Sequence, residues 1–302
     1  MRQRKSAATS PGSQRGGVAG QKDGTAITRL QEITRRPSAI ISTLAGLMLL
    51  FSFSSPTLAQ DPQASPQPPP PEASADDNPT RAVFFSVREE YRNLRDGAWN
   101  NRIVLRRDKV VLKGKRVGGR TGFLLRTDIP ITTTHLGLET HTGLGDIYGQ
   151  ALYIPYLSRK FAFVTGTGIV LPTATHKTLG FGKWQVAPLA VPVWFLSRGK
   201  GFVFVKIQDF ISIAGVGDRP DINSLFINPT LNYIPARRWL VQLEAESRTN
   251  WKNGNRTDFR VGFGAGKVLS RKLFLGVKCE VPMGGTRPGD WTLKVTNIFY
   301  RR

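Results

Sequence analysis

From residue 81 onward, polar and apolar side chains alternate along short segments that are separated by glycine, proline, asparagine and aspartate. A period of two indicates β-strands, because successive side chains leave a pleated strand on opposite faces. In VQLEAESRTNW (241–251), for example, Glu244 and Glu246 lie on one face and Leu243 lies on the other. The pattern predicts an all-β domain whose strands each separate a polar from an apolar environment.

The alternation predicts about twelve strands, and no helical period interrupts them. They cover residues 82–93, 101–113, 119–131, 143–157, 160–171, 183–196, 201–213, 222–234, 239–250, 256–268, 272–282 and 290–301. Strands of about ten residues or more exceed the usual length in soluble sheets and match the length that crosses a bilayer at a tilt. Residues 81–302 are therefore predicted to form a transmembrane antiparallel up-and-down β-barrel.

Charged and polar residues collect on one face of the later strands. A lysine or arginine that faces lipid at the bilayer midplane costs about 2–4 kcal/mol, whereas a lumen-facing charge meets water or an opposite charge. The polar face is therefore predicted to line the lumen. The predicted lumen residues are Lys206, Gln208, Glu244, Glu246, Arg248, Asp258, Arg260, Lys278, Glu280 and Lys294.

Five of the six tryptophans fall at the ends of predicted strands. They are Trp184, Trp194, Trp239, Trp251 and Trp291. Membrane barrels carry girdles of aromatic side chains at both membrane interfaces. These five tryptophans are therefore predicted to form the interface girdles.

The segment before the strands has the composition of an export signal. Residues 39–60 form a long apolar run that follows a basic stretch and contains the small residues TLA at 57–59. This pattern predicts a secretory signal peptide with a long basic leader over 1–59, cleaved after Ala59; an uncleaved membrane anchor is the alternative. Residues 60–80, rich in proline and acid, are predicted to be a disordered linker.

The 302 residues include 43 basic and 21 acidic side chains, for a net charge of +22 and a mean hydropathy of −0.23. This composition excludes a polytopic helical membrane protein, which needs several apolar runs of roughly twenty residues. A basic excess suggests a polyanionic partner. Export excludes nucleic acid, so lipopolysaccharide and outer-membrane lipid are the predicted partners, together with a small-molecule solute and the outer-membrane assembly machinery. Cys279 is the only cysteine, so no intramolecular disulfide forms.

No combination of residues is typical of a catalytic, cofactor or metal site. His135, His141 and His176 fall in predicted loops, without cysteines or acidic clusters at ligand spacing, and are predicted to be surface histidines. The segment GFGAGK (262–267) lacks the first glycine of a phosphate-binding loop. A lipid hydrolase needs a serine and a histidine on one wall, and no histidine lies on a predicted strand. A protein without enzymatic activity or cofactor is therefore predicted.

Five segments of the strand region carry a resemblance to a known family. They are GRTGFLLRTDIPI (119–131), THTGLGDIYGQALYIP (140–155), GTGIVLPTATHKTLGFGKWQVAP (166–188), GDRPDINSLFINPTLNY (217–233) and GDWTLKV (289–295). Residues 81–300 resemble the outer-membrane β-barrel family named after the meta-pathway of phenol degradation. The resemblance implies an outer-membrane barrel that passes small, hydrophobic molecules, and it implies no catalytic residues. Many such barrels end in an aromatic residue that the assembly machinery recognises. Phe299 or Tyr300 is expected to serve as that residue here.

The sequence leaves three functions open. In the first, the lumen is a path for small molecules, and its charged side chains select among them. In the second, the same side chains pair across neighbouring strands and close the interior, which leaves a structural barrel whose loops bind envelope partners. In the third, a soluble periplasmic β-sandwich binds a ligand, because a sandwich also alternates polar and apolar residues. The export signal, the long strands and the tryptophan positions favour the barrel.

Overall fold

The computed structural model of the protein describes residues 85–116, 119–236, 238–284 and 289–300. These residues form one antiparallel sheet of thirteen strands. No helix in these ranges is long and apolar enough to cross a membrane. The predicted signal peptide and linker lie outside the described residues.

Twelve strands form a closed ring, and one further strand extends it. The strands are β1 (Phe85–Leu94), β2 (Trp99–Arg116), β3 (Gly119–Leu136), β4 (Glu139–Leu144), β5 (Ile147–Leu157), β6 (Phe161–Leu171), β7 (Lys183–Phe195), β8 (Gly201–Gly215), β9 (Asn223–Tyr233), β10 (Trp239–Asn250), β11 (Arg256–Ser270), β12 (Leu273–Met283) and β13 (Gly289–Phe299). Neighbouring strands pair antiparallel around the ring, and β1 pairs with both β13 and β2. The predicted all-β barrel of about twelve strands is confirmed.

The two ends of the barrel differ in their connections. At the end that contains Phe85 and Phe299, called the terminal end, the connections between strands are short. The opposite end, called the loop end, holds the two longest connections between described strands, residues 172–182 and 216–222. Outer-membrane barrels have short periplasmic turns and longer extracellular loops. The loop end therefore corresponds to the extracellular side of such barrels.

The predicted loop around residues 132–142 is wrong. Strand β3 continues to Leu136 and pairs with the extra strand β4, with Ile131 opposite Leu144. β-branched side chains at 132–134 favour this extension. The predicted fourth strand, 143–157, is instead interrupted by Gly145 and Asp146.

Close contacts at Gly145 account for this interruption. A Cβ at Gly145 would lie 3.1 Å from the side chains of both Pro130 and Thr132. Its amide donates to the carbonyl of Pro130 at 2.9 Å. A side chain at this position would require its neighbours on β3 to shift, and glycine is a frequent residue where a strand breaks or bulges.

Candidate functional site

The interior of the ring receives every second side chain, as the strand period requires. On β10, the Glu244 side chain faces inward and is 3% exposed, whereas the neighbouring Leu243 faces outward and is 39% exposed. The polar and apolar faces of this strand therefore separate the lumen from the surroundings of the barrel.

Strands β1 to β3 carry the first group of buried charges, called the arginine cluster. It consists of Arg88, Glu90, Arg92, Arg102, Arg106, Asp108, Arg126 and Asp128. Glu90 accepts hydrogen bonds from Arg88 Nε at 2.5 Å and from Arg102 Nη2 at 2.6 Å, and Arg92 Nη2 lies 3.7 Å from Glu90 Oε2. One carboxylate thus holds three guanidinium groups on two adjacent strands.

The remainder of the arginine cluster consists of two bidentate pairs between β2 and β3. Arg106 donates to both carboxylate oxygens of Asp128, at 2.6 and 2.5 Å. Arg126 donates to both oxygens of Asp108, at 2.9 and 2.8 Å. The pairs run in opposite directions across the same two strands, and this geometry fixes the planes of both guanidinium groups.

Strands β10 to β13 carry a second group of charges, called the lysine cluster. It consists of Glu244, Glu246, Arg260, Lys278, Glu280 and Lys294. Glu280 is its centre, with Lys294 Nζ at 2.5 Å, Lys278 Nζ at 2.8 Å and Arg260 Nη1 at 3.4 Å. Lys278 also bonds Glu244 at 2.7 Å, and Arg260 lies 3.6 Å from Glu246. All six members belong to the set predicted from the sequence to line the lumen.

The other four predicted lumen residues lie outside this cluster. Gln208 is buried on β8, and Lys206 is half-buried two residues before it. Arg248 and Asp258 are opposite each other near the loop end of β10 and β11. The Arg248 guanidinium carbon lies 5.2 Å from the centre of the Phe226 ring.

Positive charge exceeds negative charge among the buried groups. Within the described residues, the two clusters and Lys206 together hold nine cationic side chains and six carboxylates. The formal excess is three positive charges inside the ring. A lumen lined by an excess of one sign of charge attracts counter-ions of the opposite sign.

Strands β5 to β8, joined by Leu124 of β3 and Phe226 of β9, form an apolar wall opposite the charges. Its cluster near the terminal end contains Leu124, Leu152, Ile154, Ala162, Val164, Leu189, Val191, Val193 and Phe204. Its cluster near the loop end contains Tyr148, Val170, Phe181, Ala187, Phe210, Ile222 and Phe226. Phe181 and Ile222 belong to the two long loops, so these loops fold into the mouth of the barrel.

Hydrogen-bonded polar groups lie where the two apolar clusters meet. Tyr148 Oη accepts hydrogen bonds from Gln208 Nε2 at 2.6 Å and from Gln150 Nε2 at 2.9 Å. Gln208 Nε2 also lies 3.2 Å from the carbonyl oxygen of Ala187, which directly precedes Pro188. Because proline has no N–H, the β7–β8 ladder is interrupted here, and the amide of Gln208 bonds a main-chain carbonyl at the gap.

The long loops are tied to the barrel by side chains at the loop end. Asp146 accepts from the amide of Phe181 at 2.5 Å and from that of Ala174 at 3.1 Å. Burial raises the pKa of Asp146, and these backbone donors act against the rise. Asp221 bonds Lys183 Nζ at 3.1 Å, a contact that lowers the pKa of Asp221.

Two of the three histidines lie on strands, although the sequence pattern predicts that all three lie in loops. His135 is on β3 and His141 is on β4, because the β3–β4 hairpin extends beyond its predicted end. The ring of His141 stacks on that of His176 with centres 3.7 Å apart, and His141 Nε2 lies 3.1 Å from Glu139 Oε2. Within the described ranges, no group of three His, Cys, Asp or Glu residues could hold a metal ion.

The five predicted girdle tryptophans are all exposed; Trp251 lies in the turn after β10, and the other four lie on the outward-facing side of their strands. Trp184, Trp251 and Trp291 are at the loop end, and Trp194 and Trp239 are at the terminal end. On β7, Trp184 and Trp194 are ten residues apart, which is about 33 Å along a strand and about 25 Å at a tilt near 40°. This separation equals the apolar band of membrane barrels.

The arginine cluster was missed in the sequence, although its signal is present. Arg88, Glu90 and Arg92 occupy alternate positions of β1, as Glu244 and Glu246 do on β10. Strand β1 also carries charge on its outer face. There, Glu89 accepts a hydrogen bond from Asn101 Nδ2 at 3.1 Å. Charges on both faces hide the alternation that reveals the later strands.

The fold is shared with outer-membrane channels of known structure. The COG4313 outer membrane channel from Pseudomonas putida F1 superposes with a TM-score of 0.61 at 14% identity, over 76% of this chain and 99% of that one. The NanC porin superposes with a TM-score of 0.51 at 10% identity, over 72% of this chain and 100% of that one. No protein-family model matches the sequence, and no curated protein matches it. The similarity therefore concerns the fold, which is that of an outer-membrane β-barrel.

Proposed function

We propose that the protein is an outer-membrane channel for small molecules, with aromatic and other weakly polar solutes as its cargo. The observation that carries the proposal is the divided lumen, in which paired charges on β1–β3 and β10–β13 lie opposite an apolar wall on β5–β8. An apolar wall offers contact to the body of a solute, and the charged wall keeps water and polar groups in the interior. The sequence resemblance to the phenol meta-pathway family supports the same cargo.

A closed structural barrel is the second candidate, and the depth of burial favours it. Glu90 is 0% exposed and Glu280 is 1% exposed, so little solvent reaches the centres of the two clusters. The side chains of Phe181 and Ile222 narrow the mouth from the loop end. In this alternative the loops bind envelope partners and the lumen conducts nothing.

Conductance of the purified barrel in planar bilayers separates the two candidates. A channel gives steady ion steps, whereas folded protein without steps supports the closed barrel. Because fixed charges set selectivity, Glu244→Gln is expected to increase the preference for anions and Arg260→Gln to decrease it, each changing the permeability ratio by about twofold or more. Lys272→Gln, in the exposed turn at the terminal end, is the matched control and should leave the ratio unchanged.

The cargo is tested by growth of a strain that lacks the protein. If the channel admits aromatic hydrocarbons, the strain should grow more slowly on them and at the normal rate on sugars. Equal growth rates on both carbon sources would contradict this cargo. Membrane fractionation of the wild-type strain tests the location independently, since the protein should separate with the outer membrane.

A further inference from the structure

Lys206 differs from the other buried cations of the lumen. Each cationic member of the arginine and lysine clusters has a carboxylate oxygen within 4 Å. The ammonium group of Lys206 forms no salt bridge or side-chain hydrogen bond with any residue that the structure describes. Its side chain is nevertheless half-buried on the inward phase of β8, opposite Asn228 of β9.

The surroundings of Lys206 supply no spare anion. Its ammonium interacts electrostatically with Arg126 and Arg106 across the lumen, and with Glu246 and Asp128. Asp128 is already engaged by the bidentate Arg106, and Glu246 lies beside Arg260. Because the nearby carboxylates face guanidinium groups of their own, none of them is paired with Lys206.

A partly buried cation without a partner is costly, and an anion that arrives from solution removes the cost. The position of Lys206 defines what kind of anion fits. On β8, Phe204 lies two residues before it in the apolar cluster of the terminal end, and Phe210 lies four residues after it in the cluster of the loop end. Gln208 and Tyr148 add hydrogen-bonding groups between the two clusters.

We infer that Lys206 is an anion-binding subsite of the channel for small organic acids with an aromatic or aliphatic body. The carboxylate of the acid pairs with the Lys206 ammonium, and the body lies along the apolar wall of β5–β8. A single free cation suits a monoanion, and the apolar wall discriminates it from inorganic anions. This inference rests on the proposed function, and it names the class of solute that the lumen retains.

Binding of benzoate to the purified, detergent-solubilised protein tests the inference without requiring conductance. The probe is benzoate labelled with ¹³C at its carboxylate, and the measurement is its line broadening during titration. Lys206→Met keeps the length and apolar stem of the side chain and is expected to weaken binding by about tenfold or more. Lys206→Arg keeps the charge and changes only the geometry of the cationic group. Its affinity for benzoate should therefore stay within about threefold of that of the wild type.

Two further ligands and one control variant complete the test. Benzyl alcohol, the neutral analogue, should bind the wild type and Lys206→Met equally, and acetate should bind more weakly than benzoate. Lys272→Met, in the terminal-end turn, should bind benzoate as the wild type does. Equal benzoate affinities in the wild type and Lys206→Met would overturn the inference, as would the absence of benzoate binding to the folded wild type.

Failure of the proposed function has a different signature. If benzoate binds through Lys206 but no conductance occurs in bilayers, the channel proposal fails and the anion site stands. If ion steps occur and benzoate affinity does not depend on Lys206, the channel stands and the subsite is wrong. Circular dichroism and the heat-dependent gel mobility of each variant confirm that the barrel is folded.

Discussion

At the scale of single residues, Glu280 shows how one carboxylate links the strands of the lumen. It lies on β12, contacts Lys294 of β13 and Arg260 of β11, and is almost fully buried. Removing one partner of a buried ionic group leaves the others uncompensated, which costs more than the pair itself contributes. The stability of this wall therefore depends strongly on a residue that the sequence alternation identifies.

Replacing Glu280 with glutamine should destabilise the barrel. The change preserves shape but leaves Lys278 and Lys294 beside a neutral amide, so the free energy of unfolding is expected to fall by about 3 kcal/mol. Urea unfolding of the protein in detergent micelles measures the change. Glu89→Gln is the matched control, because Glu89 is exposed on the outer face and bonds an asparagine amide; its free energy of unfolding should stay equal or rise. Equal losses in both variants would contradict this account.

At the scale of elements, the β3–β4 hairpin and the loop 172–182 meet through the stacked rings of His141 and His176. Partial burial lowers the pKa of His176, and the nearby His141, Lys177 and Arg219 lower it further, with Glu139 acting against them. A histidine whose pKa is lower in the folded protein contributes its full stability above the ordinary value of 6.5, and that contribution is lost as the pH falls. The stacked contact between His141 and His176 is therefore expected to be stable at neutral and alkaline pH and to weaken at acidic pH.

Lowering the pH from 7.5 to 5 should open the contact between the hairpin and the loop. Protonation of His176 sets a positive charge against the ring of His141, and the stacking weakens. Imidazole ¹⁵N chemical shifts follow the protonation, and the protection factors of the loop amides, which correct for the intrinsic pH dependence of exchange, follow the opening. The variant His176→Asn should show protection factors that do not fall between pH 7.5 and 5. Unchanged protection factors in the wild type over this pH range would refute the prediction.

The boundaries of most elements were predictable because their alternation is simple. The interval predicted for β10, 239–250, is the observed one; β7 differs from its predicted interval by one residue at one end, and β9 differs by one residue at each end. The hairpin of β3 and β4 was not predictable, because its threonines and histidines are polar on both faces and the break at Gly145 depends on contact with Pro130. Local pattern determined the strands, and a tertiary contact determined the interruption.

The site was predictable to a similar depth. Alternation places all six members of the lysine cluster on the polar faces of their strands, since each strand from β10 to β13 has one charged face. It does not reveal which cation lacks a partner, because pairing between strands depends on register and side-chain reach. Lys206 stands apart from the other lumen cations only when the positions of Asp128 and Glu246 are known.

At the scale of the whole molecule, the outer surface between the two sets of tryptophans is largely apolar. Large side chains on this surface are widely exposed, among them Phe263 at 60% and Ile207 at 42%. Soluble proteins rarely leave apolar patches of this extent in contact with water. The outer surface is therefore suited to hydrocarbon, and the polar lumen is suited to water and ions.

The barrel domain, residues 81–302, should require detergent to stay folded and monomeric. In detergent micelles it should show the circular dichroism of a β-sheet and migrate anomalously on gels without heating. Dilution below the critical micelle concentration should precipitate it within the time of a light-scattering measurement, because the apolar surface then meets water. A chain that stays dissolved and folded in plain buffer would indicate a soluble sandwich.

The pairing of β1 with β13 has a consequence for the biogenesis of the protein. Phe85 faces Phe299, so the ring closes only when two segments that lie some two hundred residues apart in the sequence meet. Until then, both strands expose unpaired edges that readily join other chains. The two edges therefore need protection from aggregation until the ring closes, and a truncation that removes β13 should leave an open sheet that aggregates.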